Sequence, residues 1–172
     1  DFPFMFATPQ EADAVVDGPF GKAMHQKLET KGIVGLAYWE LGFRNITNGR
    51  RPLAKVEDIA GLKLRVIPNP INVDWVKALG ANPTPMPFPE VYGGLEQKAI
   101  DGQENPIDTI INNSLFEVQK YLVLTRHVNP PGWQQMSEKV WQSLTPETQK
   151  LWVETWKDVA QEVRQKVVRM EL

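Results

Sequence analysis

Arg65 lies in a segment where apolar Leu62, Leu64 and Val66 alternate with charged Lys63 and Arg65. A guanidinium in such company has two uses: it pairs with an internal carboxylate, or it holds an anionic ligand, because it keeps its charge and offers a planar fork of donors. The run Asp101-Gly102-Gln103-Glu104-Asn105-Pro106 supplies two internal partners, Asp101 and Glu104. The same two acids, three positions apart, also allow a general acid/base pair of the kind that a carboxylate-dependent hydrolase places across a scissile bond. Residue types alone leave these alternatives open.

Other chemistry is sparse. His25 and His127 are isolated in the sequence, and there is no HExxH, no GxSxG elbow and no glycine fingerprint for phosphate. Both histidines are read as surface or capping groups. The chain has no cysteine, which excludes disulfides, thiolate metal sites and cysteine nucleophiles, and nothing points to a metal. Trp39 and Trp133, close to Gly42 and Gly132 in turn-rich segments, are candidates to wall a pocket. The triplets Asn45-Ile46-Thr47 and Asn112-Asn113-Ser114 match the glycosylation pattern, which arises often by chance, and carry no weight.

The elements that must position these residues are those of an ordinary folded chain. Of 172 residues, 42% are hydrophobic and 23% charged, enough for a buried core. Nineteen basic residues against 21 acidic ones give a net charge of −2, which excludes the basic footprint of a nucleic-acid binder. No stretch reaches the roughly 18 apolar residues that span a bilayer, so a soluble chain is expected. The opening Asp1-Phe2-Pro3-Phe4-Met5-Phe6 carries neither an initiator Met nor a signal region and is read as an internal start.

Periodicity predicts a helical stretch over residues 8–30, broken at Gly18-Pro19, and a strand over 33–38. The segment 45–49 reads as turn-rich. A helical turn over 56–60 precedes a strand through Arg65, and Asn69-Pro70 reads as a cap and first turn of a helix ending at Gly80. An extended segment at 84–88, a helix at 89–98, a strand at 99–103 and a helix at 106–116 follow. Alternating strands and helices predict an α/β fold with parallel pairing. From Thr145 a long amphipathic helix runs to the last residue without a cap, as if the chain once continued. Ligands of α/β sheets bind at the carboxyl ends of strands, which singles out Arg65 and residues 101–106.

Several blocks resemble one family. They are Gly42-Phe43-Arg44-Asn45-Ile46-Thr47-Asn48 with Arg51-Pro52, then Gly61-Leu62-Lys63-Leu64-Arg65-Val66, then residues 78–88 with Glu90-Val91-Tyr92. Ile100-Asp101-Gly102-Gln103-Glu104-Asn105-Pro106 and Phe116-Glu117-Val118-Gln119-Lys120-Tyr121-Leu122 follow in order. Together they resemble the DctP family of extracytoplasmic solute receptors serving TRAP (tripartite ATP-independent periplasmic) transporters, over nearly the whole chain.

The resemblance implies an α/β, two-lobed, type II-like periplasmic-binding-protein architecture with a hinge and an interlobe cleft that closes on one small organic acid. Residues 44–130 would form one lobe; residues 1–43 and 131–172 would belong to the other, the latter with the long helix. Family members are longer, so the chain would be a middle portion and the fold incomplete. Carried over position by position, Arg65 grips the ligand carboxylate, Asn105 hydrogen-bonds the same group, Arg44 is a second basic contact and Phe88 an aromatic wall. Asn69 and Trp133 lie in segments that vary with substrate. Asp101 and Glu104 become structural, holding backbone or orienting Arg65. The implied function is periplasmic capture of a sugar acid or four-carbon dicarboxylate by a monomer, without cofactor or catalysis, and delivery to TRAP membrane subunits. A hydrolase using Asp101 and Glu104, and a scaffold docking through exposed tryptophans, are the rival readings.

Overall fold

The computed structural model of the chain describes residues 2–170. In chain order the helices are α1 (Pro9–Asp17), α2 (Pro19–Glu29), α3 (Pro70–Ala78), α4 (Val91–Glu96), α5 (Ile107–Asn112), α6 (Glu138–Gln142) and α7 (Pro146–Met170). The strands are β1 (Ile33–Trp39), β2 (Arg44–Asn48), β3 (Lys63–Val66), β4 (Asn82–Pro85), β5 (Gly102–Pro106), β6 (Tyr121–Val128) and β7 (Gly132–Ser137). The chain divides into two compact units. One holds residues 2–5 and Phe43–Asn129, the other Phe6–Gly42 and residues 130–170.

The first unit is a five-stranded sheet of order β4-β3-β5-β2-β6. It is mixed rather than parallel: β3 runs parallel to β4 and β5, whereas β2 is antiparallel to β5 and β6. The turn-rich reading of 45–49 fails here, since β2 is a central, wholly buried strand. The connections β3-α3-β4 and β4-α4-β5 travel opposite ways across the sheet, so right-handed crossovers put α3 and α4 on opposite faces. Ile46, Leu64, Val66, Trp75 and Val76 form one core, and Val91, Leu95, Ile100, Ile110 and Leu115 the other. Asn69 caps α3 as the sequence suggests, its Oδ1 accepting from the Ile71 N–H at 2.9 Å, with Pro70 in the first turn.

The second unit pairs β1 with β7 as an antiparallel ribbon backed by α1, α2 and α7. The expected break at Gly18-Pro19 separates α1 from α2, and Thr8 caps α1 by accepting from Glu11 N–H. From α7, Arg164 reaches Asp13 at 3.0 Å and Asp17 at 2.6 Å on α1, and donates to the Tyr38 carbonyl at 3.0 Å. These polar contacts add to the apolar packing of Trp156 against Trp39 and of buried Ala160 in holding α7 against β1. Among the described residues no helix is long and apolar enough to cross a membrane.

Candidate functional site

Arg65 sits in β3 between β4 and β5, and it is only 3% exposed. Leu64 and Val66, its neighbours, point into the α3 core, so strand alternation turns Arg65 to the opposite face. There its Nε donates to the Met86 carbonyl at 2.9 Å and its guanidinium lies 5.8 Å from the centre of the Phe88 ring. Among the described residues no carboxylate forms an ion pair with it. Burial pulls its pKa below the ordinary guanidinium value; the charge of Glu104 opposes this and that of Arg44 reinforces it. Arg65 is thus a desolvated cation with a carbonyl and an aromatic face but no ion-pair partner among the described residues, chemistry that can accept an anion.

The expected partner of Arg65 is engaged elsewhere. Glu104 takes Arg44 at two points, Nε to Oε2 at 2.5 Å and Nη2 to Oε1 at 2.7 Å, and Nη2 also donates to the Glu104 carbonyl at 2.6 Å. His127 Nε2 lies 3.2 Å from the same carboxylate, its Nδ1 is 2.8 Å from Thr125 Oγ1, and its ring packs 4.7 Å from that of Trp75. The reading of His127 as surface or capping is therefore corrected: it is 2% exposed and part of a buried ionic cluster. Burial works to raise the Glu104 pKa, but hydrogen bonds from His127 and Arg44 and the Arg44 charge outweigh it, holding the carboxyl below the usual range. Arg44 is consequently neutralised within the protein rather than free as a second cation, and among the described residues its Nη1 has no hydrogen-bond partner.

Asp101 plays a different part. Its Oδ2 accepts from the Lys63 N–H at 2.9 Å, and Oδ1 lies 3.6 Å from Arg50 Nε. Asp101 and Glu104 thus serve separate networks and do not assemble an acid/base pair. Asn105 is 5% exposed on the Arg65 face; its Nδ2 donates to Gln103 Oε1 at 2.5 Å, and among the described residues nothing takes its second N–H. Asn69 spends its oxygen on the α3 cap and keeps its amide N–H groups.

Trp133 belongs to the second unit. It stacks 5.6 Å from His25 and 5.1 Å from Tyr38, which itself stacks on His25 at 4.8 Å, and its Nε1 is buried without a partner. Trp39 is a packing residue: its indole occupies the space a Cβ at Gly132 would fill and meets Trp156 edge-on. Among the described residues no cluster of His, Asp or Glu could hold a metal. The sequence-based candidates Arg65 and Asn105 share one face of the sheet, with Phe88 beside Arg65; the contacts of Gln103, Thr47 and His127 were not read from the sequence, because they depend on cross-strand neighbours.

The comparisons with known proteins identify the family. The model of the DctP family, described as bacterial extracellular solute-binding protein, family 7, matches residues 1–172. The 2,3-diketo-L-gulonate-binding periplasmic protein of Escherichia coli is 44% identical over 149 residues, 87% of this chain and 45% of that protein. Among solved structures, the sugar acid binding protein of Advenella mimigardefordensis in complex with galactonate is 44% identical, with a TM-score of 0.90 over 98% of this chain and 54% of that one. A TRAP periplasmic solute-binding protein of Haemophilus influenzae with bound L-gulonate is 40% identical, with a TM-score of 0.93 over 99% of this chain and 56% of that one. The chain spans about half the length of the relatives it matches. These relatives are periplasmic binding proteins, not enzymes, so the hydrolase reading falls with the separation of Asp101 from Glu104. This chain belongs to the DctP family of bacterial extracellular solute-binding proteins.

Proposed function

We propose that this chain carries the carboxylate-gripping part of a periplasmic receptor for a small organic acid of the sugar-acid class, which hands its ligand to TRAP membrane subunits. The observation that carries the reading is the guanidinium of Arg65, 3% exposed and without an ion-pair partner among the described residues. A carboxylate entering this face loses hydration worth several kcal/mol, and a planar guanidinium with an amide donor beside it recovers that loss in the geometry a carboxylate prefers. Asn105 supplies the amide N–H, Phe88 an apolar wall, and the Asn69 amide a donor in the loop after β3. Arg44 contributes at most through Nη1, because Glu104 holds its other edge. The preference for a sugar acid over a four-carbon dicarboxylate is supported by the relatives reported above, whose names give 2,3-diketo-L-gulonate, galactonate and L-gulonate as what they bind.

The test is titration calorimetry on the protein carrying this chain, with galactonate, gulonate, galacturonate, succinate and neutral galactose. One sugar acid binding without turnover, and galactose not binding, supports the reading. Neutral galactose binding as well as the acids overturns it, and succinate binding tighter than every sugar acid overturns the choice of class.

A further inference from the structure

Behind Asn105 runs a line of buried hydrogen bonds that all point one way. Asn105 Nδ2 donates to Gln103 Oε1 at 2.5 Å, Gln103 Nε2 donates to Thr47 Oγ1 at 2.8 Å, and Thr47 Oγ1 donates to Gln119 Oε1 at 2.9 Å. Gln119 Nε2 ends the line on the Val118 carbonyl at 2.9 Å. Gln103 is fully buried and Thr47 3% exposed, so water does not stand in for a missing member. Register explains the line: Thr47 pairs with Gln103 and Asn45 with Asn105 across β2 and β5, and Leu64 pairs with Gly102, which sets Arg65 level with Gln103 on the same face.

We propose that Gln103, Thr47 and Gln119 are positioning residues for the ligand carboxylate, fixing by this one-way line which edge of the Asn105 amide presents its free N–H. The inference rests on the receptor reading above. A carbonyl can only accept, so the Val118 carbonyl obliges Gln119 to turn its oxygen to Thr47; each later group then has one orientation left. The line therefore ends with Asn105 as a donor toward Gln103, and its second N–H, on the same nitrogen, is left for an acceptor. If the line ran the other way, Oδ1 would occupy the place of Nδ2 and meet a carboxylate oxygen with a lone pair. Aligned bonds also polarise one another, which strengthens the terminal donor.

Position 119, half-buried at the far end, allows a test whose sign differs from ordinary electrostatics. Gln119→Glu keeps an acceptor toward Thr47, whereas Gln119→Lys places a donor there, removes the acceptor for the Thr47 hydroxyl hydrogen and frees it to turn to Gln103, which releases the line from its one-way order. Through-space charge makes the Lys variant bind an anion more tightly than the Glu variant; the proposal expects the reverse, by about fivefold or more. The probe is whichever of galactonate, gulonate, galacturonate and succinate the wild-type protein binds tightest, read by calorimetry. In parallel, Thr47→Val is expected to weaken binding about five- to thirtyfold and Thr47→Ser to restore it to within about twofold. Lys binding as tightly as Glu or tighter, or Thr47→Val leaving affinity unchanged while Arg65→Ala abolishes it, overturns the positioning role and leaves the receptor reading intact. Loss of effect for Arg65→Ala as well overturns both.

Discussion

Arg44 and Glu104 are joined at two points inside the first unit, on the face of the sheet opposite Arg65. The reason lies in the strands. Arg44 pairs with Pro106 and Ile46 with Glu104 across β2 and β5, so Arg44 and Glu104 are diagonal neighbours on one face. Arg65 stands on the other face of β3. The sheet thus separates an internally neutral cluster, completed by His127, from a lone buried cation.

Arg65→Ala is expected to weaken binding of the acid by roughly 3 to 5 kcal/mol, some hundredfold to several thousandfold, with Arg65→Lys recovering part of it. The same Ala variant should melt no lower than wild type without ligand, because it removes a desolvated charge that has no counter-ion. Calorimetry and differential scanning calorimetry read the two halves. A change in affinity below about threefold contradicts the first, and a clear drop in melting temperature the second.

Glu104→Gln should show the opposite pattern, with stability suffering first. Removing the carboxylate leaves the Arg44 charge buried and unpaired, which costs about 3 to 5 kcal/mol. Glu104 has a folded pKa below its ordinary value of 4.5. Its contribution is therefore present above that value and lost as pH falls through the lower, folded value. Urea unfolding at a series of pH values below about 5 should show a steeper acid limb in wild type than in the Gln variant. Parallel limbs would mean that Glu104 is not the group responsible.

Much of this was legible in the sequence, and what was missed has one physical cause. Local signals placed the α1/α2 break, the Asn69 cap, the strand through Arg65 and α7, because caps, prolines and periodicity act within a few residues. The segment 45–49 looked turn-rich because Gly is free to turn and Asn and Thr favour turns when their side chains bond locally. Here they bond across strands instead: Thr47 to Gln103 and Gln119, and Asn45 Oδ1 to the Arg126 N–H at 3.0 Å. Central β2 then makes the sheet mixed. Arg65 was recognisable as a candidate, but its lack of an ion-pair partner was not, since it depends on cross-strand register that turns Glu104 to the opposite face, where it meets Arg44 60 positions away.

His25 offers a pH prediction confined to the second unit. Its pKa is lowered from 6.5, by burial first and against the charge of Glu29, so the folded protein favours the neutral ring more than the unfolded chain does. Stability linked to it is complete above about pH 6.5 and falls as pH drops toward the lower folded value. His25→Phe keeps the ring stack with Tyr38 and Trp133 and should abolish this slope. An unchanged slope in the Phe variant, measured by thermal melts between about pH 5 and 7, would assign it to another group.

Gly102→Ala tests whether the close approach of three strands is what sets the polar line behind Asn105. A Cβ at position 102 would overlap the Thr47 carbonyl oxygen and lie 2.9 Å from Leu64 Cδ2 and 3.0 Å from Asn48 Cβ. The first neighbour is backbone and cannot turn away, so β5 must shift from β2, and overpacking of this kind destabilises by about 1 to 3 kcal/mol. The shift falls next to Gln103, which bridges β5 and β2 through Thr47, so the variant should lose affinity for the acid beyond what its lower stability explains. Measured well below its melting temperature, an affinity equal to wild type would show that Asn105 is positioned without the strand contact that Gly102 permits.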